Sequence, residues 1–366
     1  MNLSCFHRVL RNCRVGLRQS ALLAVTIVSF PILPAMAADK PVLSVFNWSE
    51  YIDVEVYRQF EKEFDCVVKE TNFETPEEAV NKMVAGGSRT FDVCAVGGAY
   101  KIPTGIALGV LKKLDHSKLP NLKNLGPLFQ NPGYDPGNQY SIPYQWGTTG
   151  VIIKKSLLPT EGFSMAALFD ANKELGRFVL IDSTSEMLGF ANLYQGKPVN
   201  SVALDDLKRS IELLTAAKNS KNFMGFDGGV GGRSKVVAGT ADYAVVYNGD
   251  AGRVINEYPD KFAYVIPKEG APAWVDQLCI AKDAPNEELA YKFLNYVLDA
   301  KIGAQISNWT KYATPNAAAM EFILKEDLAN PAIYPDPETT KRLHFLEAVG
   351  EKENLRTDAW SAIKGE

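Results

Sequence analysis

Histidine and cysteine are scarce in this chain, and their scarcity narrows the chemistry it can perform. The 366 residues include 3 histidines and 5 cysteines, and His116 and His344 lie far apart in sequence. The sequence also has no G-x-S-x-G nucleophile motif, no H-E-x-x-H zinc motif and no Walker A phosphate loop. We therefore expect no catalytic residues, no metal and no cofactor, and an exported enzyme is the least favoured class of protein.

Long hydrophobic runs are missing as well, apart from one near the start of the chain. Residues 21–33 form an apolar stretch that is too short to span a bilayer easily. Four arginines precede it without any acidic residue, and Ala35-Met36-Ala37 follows it as a small-residue cleavage site. This pattern predicts a signal peptide over residues 1–37 and a mature protein in the periplasm. An uncleaved N-terminal anchor is the alternative.

An excess of basic residues, which is the usual mark of a nucleic-acid-binding protein, is not present. The whole chain has 39 Lys and Arg residues and 43 Asp and Glu residues. Removing the four arginines of the predicted signal peptide from the 39 leaves 35, so the mature net charge is about −8. We expect no nucleic-acid partner. This charge is compatible with a cationic ligand.

Only three cysteines remain once the predicted signal peptide is set aside. Cys66, Cys94 and Cys279 each lie in an apolar, strand-like run, so we interpret them as core residues. An odd number permits at most one disulfide within the chain, and the sequence leaves open whether any two of them pair.

Short apolar strands alternate with amphipathic helices at the start of the mature chain. Strands are predicted over 42–48, 66–70 and 91–96, with helices beginning near Asp53 and at Thr75, which can cap a helix before Pro76. This β-α-β-α-β order predicts an α/β fold with a parallel sheet and right-handed crossovers.

Four further segments bear on where the domains join and where a ligand lies. Because ligands bind at the carboxyl ends of such strands, residues 48–51 and 97–100 should lie at one rim. In residues 142–150 Pro and Gly flank an aromatic segment that runs into an apolar strand, which is typical of a crossing between domains. The alternative is an edge strand with a bulge. The glycine-rich segment 228–233 lacks the spacing of a phosphate loop and is predicted to be a loop.

Trp274 and Asp276 suggest the chemistry of the ligand. They are two residues apart, so on a strand both side chains point to the same side. An aromatic face next to a carboxylate suits an alkylammonium group, which binds to both. The alternative is a buried tryptophan beside a surface aspartate.

Six short segments stand in order along the mature chain: NWSEY at 47–51, FDV at 91–93, IPYQWGTTG at 142–150, YNGD at 247–250, PKEG at 267–270 followed by Trp274 and Asp276, and YATPN at 312–316. Taken together, they resemble the periplasmic spermidine/putrescine-binding proteins of polyamine transporters. They occur in the order of the family, at similar spacing, over nearly the whole mature chain.

The resemblance implies a fold and a set of site residues. The fold is a two-lobe periplasmic-binding-protein fold of type II with discontinuous lobes, 38–147 plus 275–320 and 148–274 plus 321–366, and a ligand cleft between them. Carboxylates would meet the ammonium groups of the ligand and aromatic rings would lie along its methylenes. The implied ligand-binding residues are Trp48, Ser49, Glu50, Tyr51, Glu186, Tyr247, Asp250, Trp274, Asp276 and Tyr312.

The resemblance also implies a function. The expected protein is a monomer that closes on a polyamine of the spermidine, putrescine or norspermidine class and delivers it to an ABC permease. The alternative is a polyamine-sensing protein that signals to a membrane-bound sensor. A sugar, an amino acid or ferric iron fits the acid-rich, aromatic residue set less well.

Three departures from the family leave the identity of the polyamine open: Gly97 replaces a serine, Tyr247 replaces a tryptophan, and Leu346 stands at a position that is glutamine in spermidine binders.

Overall fold

The structure is a computed structural model that describes residues 40–228 and 230–365. The predicted signal peptide, residues 1–37, lies outside the described residues. Within the described residues, no helix has the length and apolar character that crossing a bilayer requires.

Helices and strands alternate along most of the described chain. The strands are β1 (Val42–Trp48), β2 (Val67–Phe73), β3 (Val93–Val96), β4 (Ile142–Lys154), β5 (Phe178–Ile181), β6 (Phe223–Asp227), β7 (Tyr243–Tyr247), β8 (Phe262–Val265), β9 (Ala271–Ile280) and β10 (Leu343–Phe345). The helices are α1 (Val54–Phe64), α2 (Pro76–Val84), α3 (Ile102–Ala107), α4 (Ala166–Phe169), α5 (Thr184–Tyr194), α6 (Leu204–Lys218), α7 (Gly231–Val237), α8 (Asn248–Glu257), α9 (Glu287–Val297), α10 (Ala300–Thr310), α11 (Lys325–Leu328), α12 (Pro337–Thr340) and α13 (Glu353–Lys364).

The first three strands form the predicted parallel arrangement. β1 lies between β2 and β3 and is parallel to both. Side chains fix where the intervening helices begin: Asp53 accepts a hydrogen bond from the Glu55 amide at the start of α1, and Thr75 accepts one from the Glu78 amide at the start of α2. The predicted β-α-β-α-β order and its caps are therefore confirmed.

A single long strand, β4, connects two groups of strands. Its first half pairs with β9 through residues 142–148, and its second half pairs with β7 through residues 149–153. The resulting order is β2-β1-β3-β9-β4-β7-β5-β6. β4 is thus an interior strand that crosses from one group to the other, as predicted, and is not an edge strand.

Two large hydrophobic cores lie on either side of this crossing. One includes Phe46, Phe60 and Phe293 around β1, β3 and β9. The other includes Phe178 and Phe190 around β5 and α5. The fold is therefore an α/β fold with two lobes, while the lobe boundaries given above remain a prediction.

The three described cysteines are buried, free thiols. Cys94 on β3 lies directly opposite Cys279 on the antiparallel strand β9. Their interpretation as core residues is confirmed.

The glycine-rich segment differs from the prediction, because residues 231–237 form helix α7. Glycine disfavours helix, but tertiary packing outweighs that preference here. Val236 is fully buried in a small core with Val179 and Ala244. Gly232 lies so close to Val179 that a β-carbon on it would come within 3.3 Å.

Candidate ligand-binding site

A cavity lies where the two groups of strands meet. Its walls come from the segments after β1 and β3, from β7 and β9, from the first turns of α5 and α8, and from the chain after α10. The lining residues are Trp48, Ser49, Tyr51, Gly97, Gly98, Tyr100, Glu186, Val230, Tyr247, Asp250, Trp274, Asp276 and Tyr312. The segments 48–51 and 97–100 thus lie at one rim, as the strand order predicts.

Nine of the ten predicted site residues line this cavity, and Glu50 does not. Glu50 adopts a left-handed backbone conformation with φ of 55°. Its carboxylate lies 2.7 Å from Arg253 and 3.3 Å from Arg233, so it pairs with guanidinium groups. Ser49 lines the cavity and its hydroxyl donates a hydrogen bond to Glu74.

Four lining residues are not among the binding residues that the sequence predicts. Gly97, Gly98 and Tyr100 belong to the rim segment that the strand order identifies, so a signal for them exists. Val230 precedes α7 in the glycine-rich segment, and no sequence pattern pointed to it. Leu346, one of the three departures, is buried in the second core and is not among the lining residues.

Asp276 lies on β9, all of whose residues are buried. One of its carboxylate oxygens accepts a hydrogen bond of 2.6 Å from the Gly98 amide. Burial raises the pKa of Asp276 to about 7, while the Gly98 amide, the Tyr51 hydroxyl and the Trp48 indole act in the opposite direction. All of these neighbours are neutral, and within residues 40–228 and 230–365 no salt bridge to Asp276 is found.

Asp250 lies in the first turn of α8, where the helix dipole favours a negative charge. Burial raises the pKa of Asp250 to about 7. Arg233 and Arg253 lower this pKa and Glu50 raises it further. Asp250 is therefore electrostatically coupled to the arginines that hold Glu50.

Glu186 is the third carboxylate of the cavity. It lies in the first turn of α5 and its side chain is buried. Its negative charge contributes to the raised pKa values of Tyr247 and Tyr264, which follow mainly from burial. Glu186 thus lies in the first turn of a helix and also lines the cavity.

Five aromatic rings form a continuous wall through edge-to-face contacts. Ring centroids are 6.3 Å apart for Trp48 and Tyr247 and 5.3 Å apart for Tyr247 and Trp274. They are also 5.3 Å apart for Trp274 and Tyr312 and for Tyr312 and Tyr51. Such a wall offers both an apolar surface for methylenes and π faces for ammonium groups.

Glycines allow two of these rings to approach the backbone. A β-carbon on Gly97 would lie 2.3 Å from a ring carbon of Trp48. One on Gly249 would lie 2.6 Å from the ring of Tyr312. The glycine at 97, a departure from the related family, is thus required by the position of Trp48.

The described lining residues include three carboxylates and no lysine, arginine or histidine. Because buried charges are costly, a cavity lined by carboxylates suits a ligand that brings positive charges of its own. The aromatic wall adds a preference for an apolar segment between those charges.

Comparison with known proteins agrees with this description. The model of the bacterial extracellular solute-binding protein family matches residues 55–335. The putrescine/agmatine-binding protein of Pseudomonas aeruginosa is 31% identical over 369 residues, which cover 94% of this chain and 97% of that protein. The putrescine-binding periplasmic protein of Escherichia coli is 30% identical, covering 95% and 96% of the two chains.

A solved structure supports the same assignment at the level of the fold. The spermidine/putrescine ABC transporter substrate-binding protein of Streptococcus pneumoniae superposes with a TM-score of 0.72 at 28% identity. The superposition covers 89% of this chain and 99% of that one. The chain therefore belongs to the bacterial extracellular solute-binding protein family.

Proposed function

We propose that this protein binds an aliphatic polyamine in the periplasm and delivers it to the permease of an ABC transporter. The observation that carries the proposal is a buried cavity in which three carboxylates lie beside a wall of aromatic rings, without a basic side chain among its described lining residues. Relatives that are named for binding putrescine or spermidine support the same ligand class.

In this proposal Asp276, Glu186 and Asp250 bind the ammonium groups of the ligand. Trp48, Tyr51, Tyr247, Trp274 and Tyr312 lie along its methylenes, and Ser49 offers a hydroxyl at one end. Glu50 contributes through Arg233 and Arg253, with which it pairs. The ligand is bound and released without chemical change, and the protein acts as a monomer.

Closure of the two lobes explains how the permease would distinguish the ligand-bound protein from the ligand-free protein. In this proposal one lobe is 38–147 plus 275–320, and it contains Trp48 and Asp276. The other lobe is 148–274 plus 321–366, and it contains Glu186 and Asp250. A ligand that contacts both sets stabilises the closed form over the open form, because its charges are matched only there. The permease would recognise the closed form.

Calorimetric titration tests the ligand class. The mature protein, residues 38–366, is unfolded and refolded to remove carried-over ligand, and then titrated with putrescine, cadaverine, norspermidine, spermidine and spermine. We expect one-to-one binding of at least one amine, and mass spectrometry should recover that amine unchanged. A folded sample that binds none of the five would overturn the proposal.

Uptake measurements test the partner. Deleting the gene should reduce uptake of the radiolabelled amine that the protein binds, and expressing the protein should restore it. Normal uptake together with intact binding would contradict delivery to a permease and would instead support a role in sensing.

A further inference from the structure

A break in the pairing of strand β4 lies directly opposite Asp276. Pro143 of β4 pairs with Gln277 of β9, and Gln145 pairs with Asp276, so Tyr144 is an extra residue between two paired positions. An insertion of this kind is a β-bulge, in which two residues of one strand oppose a single residue of the other. Because a bulge interrupts the regular alternation of side chains, it can direct two consecutive side chains to the same place.

The bulge brings two hydrogen-bond donors to one acceptor, the backbone carbonyl oxygen of Tyr51. The Tyr144 hydroxyl and the side-chain amide nitrogen of Gln145 each donate to this oxygen at 3.1 Å. A carbonyl oxygen has two lone pairs, so both bonds can form at once. All three residues are buried, where losing a hydrogen-bond partner is costly. The backbone of Tyr51 is therefore held by two separate side chains.

The other end of the Gln145 amide reaches a second part of the cavity wall. A carbonyl oxygen only accepts hydrogen bonds, so the amide nitrogen faces Tyr51 and the amide oxygen is left for another donor. The hydroxyl of Thr310 donates to this oxygen at 2.5 Å. Thr310 ends α10 and stands two residues before Tyr312. Gln145 thus connects the segments of Tyr51 and Tyr312, whose ring centroids are 5.3 Å apart.

Tyr51 is the residue through which these bonds reach the cavity. Its ring lies edge-to-face with that of Tyr144, at a centroid distance of 5.5 Å, so side chain and backbone are both fixed. Its hydroxyl helps to stabilise the charge of Asp276. Tyr144 and Gln145 are not among the described lining residues. Any effect that they have on a ligand must therefore pass through a residue such as Tyr51.

We propose that Tyr144 and Gln145 are positioning residues of the binding site, which hold the backbone of Tyr51 through the bulge in β4. They keep the hydroxyl of Tyr51 directed toward Asp276 and its ring in place against Tyr312. This inference rests on the proposed function, in which the ligand is an amine. Side chains that bind a ligand need supporting hydrogen bonds to stay in the productive geometry. Loosening Tyr51 should therefore weaken amine binding although no lining residue is changed.

The pKa of Asp276 in the ligand-free protein tests this role without an amine. It is measured by carbon-13 NMR of labelled aspartate side chains, and the Asp276 signal is the one that is missing in Asp276→Asn. Because the Tyr51 hydroxyl lowers this pKa, a displaced Tyr51 should raise it. We expect a rise of about 0.5 in Tyr144→Phe and in Gln145→Met, and a larger rise in the double variant. An unchanged pKa in the double variant would overturn the inference.

The tyrosines around Asp276 do not titrate in the range of this measurement. Burial raises the pKa of each well above its ordinary value of 10, and each interacts electrostatically with Asp276: Tyr51, Tyr144, Tyr247 and Tyr312. They remain neutral while the carboxylate ionises near pH 7. The other carboxylates of the cavity are Glu186 and Asp250. Their signals remain in Asp276→Asn, so they are told apart from that of Asp276.

A double-mutant cycle shows whether the effect passes through Tyr51. Tyr51→Phe removes the hydroxyl and should itself raise the pKa of Asp276. In that background Tyr144→Phe should add no further rise, because the group that it positions is gone. The same rise in both backgrounds would mean that Tyr144 acts on Asp276 directly, which contradicts the inference.

Tyr291→Phe is the matched control. It removes the hydroxyl of another buried tyrosine of the same core, one that accepts a hydrogen bond of 2.9 Å from the Asp115 amide. Tyr291 is not among the described lining residues of the cavity, so its variant should keep the wild-type pKa of Asp276. If Gln145→Met does not fold, Tyr144→Phe keeps the test valid, since it removes a single oxygen atom.

Calorimetric titration with the amine that the wild type binds measures the consequence for the ligand. An ammonium group binds the ionised carboxylate, and the pKa of Asp276 is about 7 in the wild type. A rise of about 0.5 should make the loss of affinity in Tyr144→Phe about threefold larger at pH 6.5 than at pH 8.5. A loss that is equal at both pH values would show a merely structural role and would overturn the inference.

The two measurements also separate this inference from the proposed function. Wild-type protein that binds no amine overturns the proposed function, and with it the role of these residues in amine binding. The NMR titration still decides in that case whether Tyr144 and Gln145 position Tyr51. Amine binding by the wild type together with an unchanged pKa in the double variant overturns only the inference.

Discussion

Asp276 and Asp250 are two buried carboxylates of one cavity, and they differ in what surrounds them. Burial raises the pKa of each to about 7. The groups that stabilise the charge of Asp276, however, are neutral, and they include the Gly98 amide at 2.6 Å. Asp250 lies beside two arginines and a glutamate. Burial therefore raises the pKa of both carboxylates. Their charged neighbours determine how much of the negative charge of each is already balanced before a ligand binds.

The largest effect we expect is on amine affinity in Asp276→Asn. Losing a charge-assisted hydrogen bond should weaken binding by about 1–3 kcal/mol. Asp250→Asn should have a smaller effect, because the arginines already share the charge of Asp250. Calorimetric titration of both variants with the same diamine provides the comparison. Equal losses of amine affinity in the two variants would mean that the arginines do not reduce the contribution of Asp250 to binding.

A substitution at Gly97 should disturb the Asp276 end of the cavity without changing any charge. A β-carbon at this position would come 2.3 Å from Trp48, so Gly97→Ala must displace the indole ring. Overpacking of this kind costs about 1–2 kcal/mol, and we expect amine affinity to fall by a similar amount.

Gly133→Ala is the matched control, since a β-carbon there would meet no atom within 4 Å. Near-ultraviolet circular dichroism should report the movement of the indole in Gly97→Ala and not in Gly133→Ala. Unchanged affinity in Gly97→Ala would show that the position of Trp48 does not matter for binding.

The smallest effect concerns the stability of the ligand-free protein as a function of pH. The pKa of each aspartate rises from an ordinary value of 3.8 to about 7 on folding. The folded state therefore holds these protons more tightly than the unfolded state does. The stabilisation of the folded state by these two protons is complete below about pH 4 and is lost as the pH rises through 7.

We expect Asp276→Asn to remove the share of this loss that is due to Asp276. Its free energy of unfolding should fall less between pH 5 and pH 8 than that of the wild type. At pH 8 the ligand-free variant should be the more stable protein. Urea denaturation at both pH values measures this difference, and parallel pH dependence of the two proteins would contradict it.

The sequence was sufficient to predict the parts of the site that depend on local pattern. The alternation of β9 places Trp274 and Asp276 on one face, and the parallel order of β1 and β3 brings residues 48–51 and 97–100 to one rim. Both predictions depend on strand periodicity and on the geometry of parallel sheets, which local sequence encodes.

The pairing of Glu50 was not predictable in the same way. Its partners Arg233 and Arg253 are 183 and 203 residues away in sequence. The left-handed turn that directs Glu50 toward them is adopted by a residue other than glycine, so no composition signal marks it. Helix α7, which carries Arg233, is stabilised by tertiary contacts of Val236 and Gly232 and was predicted to be a loop. Charge partners brought together only by the tertiary fold are therefore what the sequence does not reveal.

The three buried cysteines have a practical consequence for measuring closure. Burial raises the pKa of Cys94 to about 12, that of Cys279 well above its ordinary value, and that of Cys66 above its ordinary value. Thiols alkylate as thiolates, so all three should react slowly with maleimides at neutral pH. A single cysteine introduced on the exposed surface near the cavity would then carry a fluorophore selectively. The protein would become an optical reporter of its own ligand without removal of any native cysteine.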